Sequence, residues 1–243
     1  RGRGSDKAPG EFRRSQNWIG GTRPANAHFV PPPVHALADC MSDLERFLHR
    51  ADPAIPVLIR AALVHVQFET IHPFLDGNGR VGRLLITFLL CHDGVIRQPL
   101  LYLSLYFKQH RERYYELLDR VRRDGDWEAW LTFFLEGVAQ TADGAVSTAQ
   151  RLVQLFRTDR DRIQEEGKKA GSALRVHQAL KERPVTSLPE VARRTGLSYP
   201  AASSGMAVLE RLGIAREITG RRRDRLFSYT KYLAILSEGT ELP

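Results

Sequence analysis

Two apolar segments, Ile55 to Thr70 and Gly79 to Cys91, flank a short polar loop, and neither alternates as a half-buried strand does. The first is apolar on most faces and is expected at the centre of a helical core, opened by Pro53 and Pro56. The second stops near Asp93-Gly94. Upstream, Val34, Leu37, Met41, Leu44 and Leu48 recur at three- and four-residue spacing, which predicts an amphipathic helix over 34–49. Downstream, Tyr102 to Val121 and Trp127 to about Glu165 predict more helix, with Gly125 between them. The extended pieces are Asn17-Trp18-Ile19 and Ala27 to Val30, around a Gly/Pro turn; they predict a small β-hairpin that ends at Pro31-Pro32-Pro33. The fold class expected is therefore mainly α, a helical core with a hairpin over about residues 17–30, behind a loose leader at 1–14.

The polar, Gly-containing stretch Glu165 to Ser172 marks a domain boundary. Beyond it Leu174 to Lys181 reads as a helix. Ser187, with Glu190 three residues on, caps a second helix that runs to about Thr195. Ser198-Tyr199-Pro200 opens a third, ending at Leu212-Gly213. Ile214 to Ile218 and Leu226 to Tyr229 predict two strands around a basic turn. Helix, helix, helix, then two strands is the order of a small winged helix-turn-helix module, placed at 173–236.

Composition excludes several functions. The longest apolar run, Leu84 to Cys91, is far too short to span a bilayer, so no membrane partner is expected. Cys40 and Cys91 lack CxxC spacing, and the eight histidines form no HExxH, which argues for buried thiols in a reducing cytoplasm over a disulfide or zinc site. The start carries no signal peptide, and the opening Arg1 suits a fragment of a longer chain. A net charge of +8 points to an anionic partner.

The chemistry lies between Ile71 and Arg83. Gly77-Asn78-Gly79 can turn successive backbone N–H groups toward one point, at the start of a helix where unpaired N–H groups and the macrodipole favour an anion. Arg80 and Arg83 share a helix face beside that nest and suit a polyphosphate. Asp76 would repel phosphate unless Mg²⁺ bridges them. His72 is the nearby group whose ordinary pKa lies near neutrality, the natural general base. Gly77 to Gly82 also satisfies GxGxxG, but it follows a helix rather than a strand, which excludes a dinucleotide site. A lone buried histidine or arginine pair would be ordinary packing; thirteen residues with this chemistry in this order are not.

The string His72 to Arg83 resembles the Fic motif, HPFx(D/E)GNGRxxR, with every specified position filled. Gly10-Glu11-Phe12-Arg13, Asn17-Trp18-Ile19-Gly20 and Phe29-Val30-Pro31-Pro32 are similar to the family's flap and its flanks, and Tyr114-Tyr115 and Trp127 to Leu135 to its later helices. The resemblance covers roughly residues 10–150 and implies a Fic domain over 15–165. It implies a protein adenylyltransferase. His72 would take the proton of a target Tyr, Ser or Thr hydroxyl, which attacks the α-phosphorus of ATP. Asp76 would hold Mg²⁺; Gly77, Asn78 and Gly79 would bind phosphate oxygens; Arg80 and Arg83 would hold the β- and γ-phosphates. Phe74 would anchor the loop. Tyr114 and Tyr115 match residues near the adenine, although ordinary core aromatics explain them nearly as well. The hairpin would be a flap to whose edge a target segment adds. Related domains remove AMP or use other donors, and those alternatives stay open.

In the winged module Tyr199, Ser203, Ser204 and Met206 are expected partly exposed on the recognition helix, with Arg221-Arg222-Arg223 and Arg225 on the wing. Arg211 to Lys231 holds seven basic residues and two acidic ones, which suits DNA, though a winged helix equally serves protein contact, including a homodimer. A rival reading of the whole chain is therefore a nucleotide-sensing DNA-binding regulator. Many Fic proteins carry an inhibitory [ST]xxxE[GN] helix that blocks the second motif arginine, here Arg83. Thr132 to Gly137 matches it within a helix that needs Phe133 and Phe134 for packing, and Ser237 to Leu242 lacks the final Gly or Asn, so the chain is expected to lack that inhibitor.

Overall fold

The structure is a computed structural model, and the residues described are 8–50, 54–97 and 102–238. It divides into two compact units, Arg1–Asp143 and Gly144–Pro243.

The first unit is helical: α1 (Leu37–His49), α2 (Val57–Ile71), α3 (Asn78–His92), α4 (Leu103–Gln109), α5 (Arg111–Asp124) and the first part of α6 (Trp127–Gln164). The central position expected of α2 is observed: Ala61, Ala62, Val64, Val66, Phe68 and Ile71 are all buried. Trp130 on α6 donates its indole N–H to the Ala62 carbonyl (3.1 Å), tying α6 to the middle of α2. The one long helix expected after Tyr102 is two, α4 and α5, which meet at His110. Pro53, expected to open α2, lies outside the described residues; Pro56 is the residue before its first turn.

The hairpin expected over 17–30 is reduced to one antiparallel bridged pair, Ile19 with Phe29. Gly20 and Gly21 both take positive φ (71° and 68°), which turns the chain away directly after Ile19 and prevents a ladder from extending. A 3-10 turn at Pro24–Asn26 fills the loop, with the Asn26 Oδ1 accepting from Thr22 and Arg23 N–H.

In the second unit α7 (Ala170–Glu182), α8 (Leu188–Thr195) and α9 (Tyr199–Arg211) accompany β1 (Val185–Ser187), β2 (Arg216–Glu217), β3 (Leu226–Ser228) and α10 (Thr230–Ser237). The strands form one antiparallel sheet in the order β1-β3-β2. β1 and α10 were not expected. The division between units falls inside α6, upstream of the expected boundary at 165–172, because the end of α6 packs into the second core: Ile163 is fully buried there. α9 opens at Ser198-Tyr199-Pro200 as expected, and Ser198 caps it by accepting from the Ala201 N–H (3.4 Å). The cap expected at Ser187 does not form, since Ser187 pairs with Leu226 in the sheet and Glu190 is held by Arg193. Met206, expected partly exposed, is in the core; Tyr199 and Ser204 are exposed and Ser203 half-buried. No helix among the described residues is long and apolar enough to cross a membrane.

One glycine sets the spacing of α2 and α3. A Cβ on Gly82 would lie 2.6 Å from the Glu69 Oε1, 3.2 Å from the Phe68 ring and 3.3 Å from the His65 ring. Gly82→Ala is therefore expected to lower the unfolding free energy by about 1–3 kcal/mol through overpacking. Denaturant titration with an unchanged slope checks it; an unaltered midpoint would show that α3 can move away freely.

Candidate active site

The loop between α2 and α3 begins with an unfavourable conformation. His72 sits in the left-handed region (φ 49°, ψ 61°) and ends α2 with its N–H on the Phe68 carbonyl (2.9 Å). Buried neighbours hold it there. The Arg13 guanidinium donates to the carbonyls of His72 (3.0 Å), Ile71 (3.4 Å) and Pro32, while the Arg13 N–H donates to Pro73 (2.8 Å). Asn17 donates to the carbonyls of His72 (3.3 Å) and Phe74 (3.1 Å). The buried Asn78 closes the loop from the other side, accepting from the Phe74 N–H (2.8 Å) and donating to the Phe74 carbonyl (2.7 Å). Phe74 packs against Phe12 and Phe68, as an anchor should.

This clamp prepares the start of α3. Gly77 takes φ 88° as its N-cap, and its own N–H is used by the Asp76 carboxylate (2.7 Å). The Arg80 and Val81 N–H groups turn back to the Gly77 carbonyl. The Asn78 and Gly79 N–H groups are left without an acceptor among the described residues, as the first turn of a helix requires. Both arginines fold over this turn: a Cβ would meet Arg80 at 3.3 Å from Gly77, and Arg83 at 3.1 Å from Gly79. Arg80 is exposed and 3.4 Å from Asp76. Arg83 is half-buried and has no ion-pair partner among the described residues. The expected grouping of His72, Asp76, Gly77, Asn78, Gly79, Arg80 and Arg83 is thus a single loop and helix start. The Asn78 side chain, however, is spent on the loop, so only its main-chain N–H is left for an anion.

The His72 ring sits beside Glu69. Its Nδ1 lies 3.3 Å from the Glu69 carbonyl, an acceptor, so Nδ1 carries the hydrogen and Nε2 keeps its lone pair with no partner among the described residues. Burial pushes the imidazole down to about 4; the Glu69 carbonyl opposes this and Arg122 and Arg13 reinforce it. The ring is neutral at pH 7, which a base requires.

Asp76 is the acidic residue of this loop, and the described residues hold no group of three or more His, Cys, Asp or Glu able to cage a metal. One exposed carboxylate beside unused N–H groups and two arginines is the donor set Mg²⁺ would need if a phosphate lay there, since that ion keeps several waters and is bound through one or two carboxylates plus phosphate oxygens.

Tyr114 does not reach this surface. It is buried, and its hydroxyl meets the His65 Nε2 (2.8 Å) beneath α2. Tyr115 is exposed, edge-on to Tyr114. Sequence reasoning missed Glu69, His65 and Arg122. Glu69 carried a signal, a carboxylate inside an apolar helix. Arg122 carried none: it donates to the Glu69 carbonyl (3.0 Å) and the Thr70 Oγ1 (3.2 Å), and lies 4.1 Å over the Phe29 ring.

The site thus sets a neutral imidazole beside a helix start with two unused N–H groups and two arginines, an arrangement that suits an anion. Residues 2–90 match the sequence model of the Fic/DOC family. It is 36% identical over 138 residues to the protein adenylyltransferase Fic of Culex quinquefasciatus and 37% identical over 139 residues to that of Aedes aegypti. Each match takes in 55% of this chain, which spans about a quarter (24%) of those relatives' length. The fold is similar to the crystal structure of a Fic family protein from Desulfovibrio desulfuricans G20, with a TM-score of 0.55 at 20% identity, covering 93% of this chain and 64% of that one.

Asn78→Ala tests the clamp. It is expected to lower stability by about 1–3 kcal/mol, because it leaves the Phe74 main chain unpaired, and to speed hydrogen exchange at the Phe74 amide. Unchanged exchange at Phe74 would show that the loop holds without it.

Proposed function

We propose that this chain is a protein adenylyltransferase that moves AMP from ATP to a Tyr, Ser or Thr hydroxyl of a protein target, itself included. The observation that carries the reading is the pairing of a neutral His72, whose Nε2 is free, with two unused N–H groups under Arg80 and Arg83. The names of the relatives support the same reading. His72 Nε2 accepts the hydroxyl proton as the hydroxyl oxygen bonds to the α-phosphorus. The bond from that phosphorus to the bridging oxygen breaks, and pyrophosphate leaves with the electron pair. The Asn78 and Gly79 N–H groups meet phosphate oxygen, while Arg80 and Arg83 hold the leaving phosphates. Asp76 would hold Mg²⁺, which supplies positive charge to the phosphates. Two free thiols, Cys40 and Cys91, support a reducing, cytoplasmic setting.

A second activity belongs to the other unit. The exposed turn Arg221-Arg222-Arg223 forms no salt bridge among the described residues, and Arg222 and Arg223 line, with Asp224, Arg225 and Tyr199, one cavity of about 280 Å³ at the start of α9. Cationic side chains without carboxylate partners beside an exposed helix start favour a DNA phosphate backbone, and we read this unit as a winged helix that contacts duplex DNA.

His72→Ala is expected to reduce transfer from α-labelled ATP by about 10²–10⁴-fold while leaving ATP binding largely intact. Near-parental transfer by the folded variant would remove His72 from the mechanism. Replacing Arg221, Arg222 and Arg223 with Ala should weaken duplex binding and reduce its log–log salt slope by roughly one unit per lost contact. No affinity of the parent chain for duplex at low salt would leave protein contact as the role of this unit.

A further inference from the structure

Glu69 is an unusual residue to find under a catalytic histidine. It lies on the buried face of α2 with 5% exposure, and its Oε1 has no hydrogen-bond partner among the described residues. Burying a carboxylate without partners is costly. Two cations face it, Arg83 from α3 and Arg122 from α5, but neither forms an ion pair with its oxygens: Arg122 is spent on the Glu69 carbonyl and Thr70, and Arg83 folds over Gly79. Tyr114 from α5 and His65 from α2 complete the surroundings, and their polar groups bond each other. The charged-group contact left to the carboxylate is His72, whose Nδ1 lies 3.8 Å from Oε2. The carboxylate fits because residue 82 is glycine, since a Cβ there would lie only 2.6 Å from Oε1.

We propose that Glu69 is a positioning residue for His72, its carboxylate orienting the Nδ1–H side of the ring and offsetting the charge the imidazole gains when Nε2 accepts the hydroxyl proton. This rests on the transferase reading above. The ring needs such support, because burial, and after it Arg122 and Arg13, disfavour the imidazolium. The proton balance is simple: the hydroxyl proton stays on Nε2, no proton passes to Glu69, and the carboxylate acts through its charge. Burial pushes the Glu69 carboxyl up to about 7, against the pull of Arg83 and Arg122. The supporting charge is therefore present above neutral pH and is lost as pH falls through about 7.

Glu69→Gln keeps the volume and removes the ionisation. Histidine NMR, with the His72 signals assigned from His72→Gln, reads the link directly and needs no turnover. The parent ring should show an inflection near pH 7 as Glu69 titrates, and Glu69→Gln should lose it. A His72 titration that is the same in both chains would overturn the proposal. With α-labelled ATP at pH 8, Glu69→Gln should transfer at least about tenfold more slowly, the equivalent of one pK unit at the base, with unchanged ATP affinity. Its rate should be flat where the parent rate falls below pH 7. Equal rates, or the same profile at a lower level, would again overturn it. If the parent transfers nothing at all, the transferase reading fails, while the NMR comparison still decides the link between Glu69 and His72.

Discussion

The close approach of α3 to α2 at Gly82 is the constraint on which the site depends. With hydrogen alone at that position, α3 lies against Phe68, Glu69 and His65 so closely that a Cβ would come within 2.6 Å of Glu69 Oε1 and 3.2 Å of the Phe68 ring. That spacing carries Arg83 over Gly79 into the field of Glu69. It also shortens the route from the end of α2 to the start of α3, so the chain must reverse at once. The cost appears at His72, held in the left-handed region, and is offset by Arg13, Asn17 and Asn78, whose side chains occupy the loop's carbonyl groups and the Phe74 N–H. The loop is held through its own main chain by the side chains of Arg13, Asn17 and Asn78, while the Asn78 and Gly79 N–H groups at the helix start have no acceptor among the described residues.

The electrostatics follow from the same packing. Arg13 and Arg122 stand where they brace carbonyl groups, yet their charges also reach the His72 ring and help to keep it neutral. Arg80 and Arg83 are turned toward the open side of the nest. One group of cations is thus structural and the other available to an anion, a distinction set by which carbonyl groups lie within reach. Arg122 performs a further task, since its guanidinium also covers Phe29 and so ties the bridged flap segment to the end of α2.

The second unit shows a comparable economy in a different setting. Its interior polar groups form a closed chain, in which the Tyr229 hydroxyl donates to Asp159 (2.6 Å) and meets His177 (3.2 Å). Gly205 admits α9 against α7, where a Cβ would lie 2.8 Å from Val176. Its charge, by contrast, is left on the surface, concentrated in the turn before β3.

The grouping of His72, Asp76 and Gly77 to Arg83 was legible in the sequence because its parts are contiguous: a helix end, a glycine turn and two arginines one turn apart need no tertiary information to be placed together. The helices were legible for the same local reason, the periodicity of their apolar residues. What the sequence could not convey were contacts between distant residues. Arg13 reaches His72 across 59 positions and Arg122 reaches Glu69 across 53. Only packing decided that Tyr114 supports the core while Tyr115 faces solvent, that Met206 is buried, and that the end of α6 joins the second unit. The hairpin failed as a ladder because two glycines with positive φ follow Ile19, a choice of conformation that glycine permits and composition does not reveal. Local order along the chain determined the reactive groups; the approach of helices remote in sequence determined which of them were left free to act.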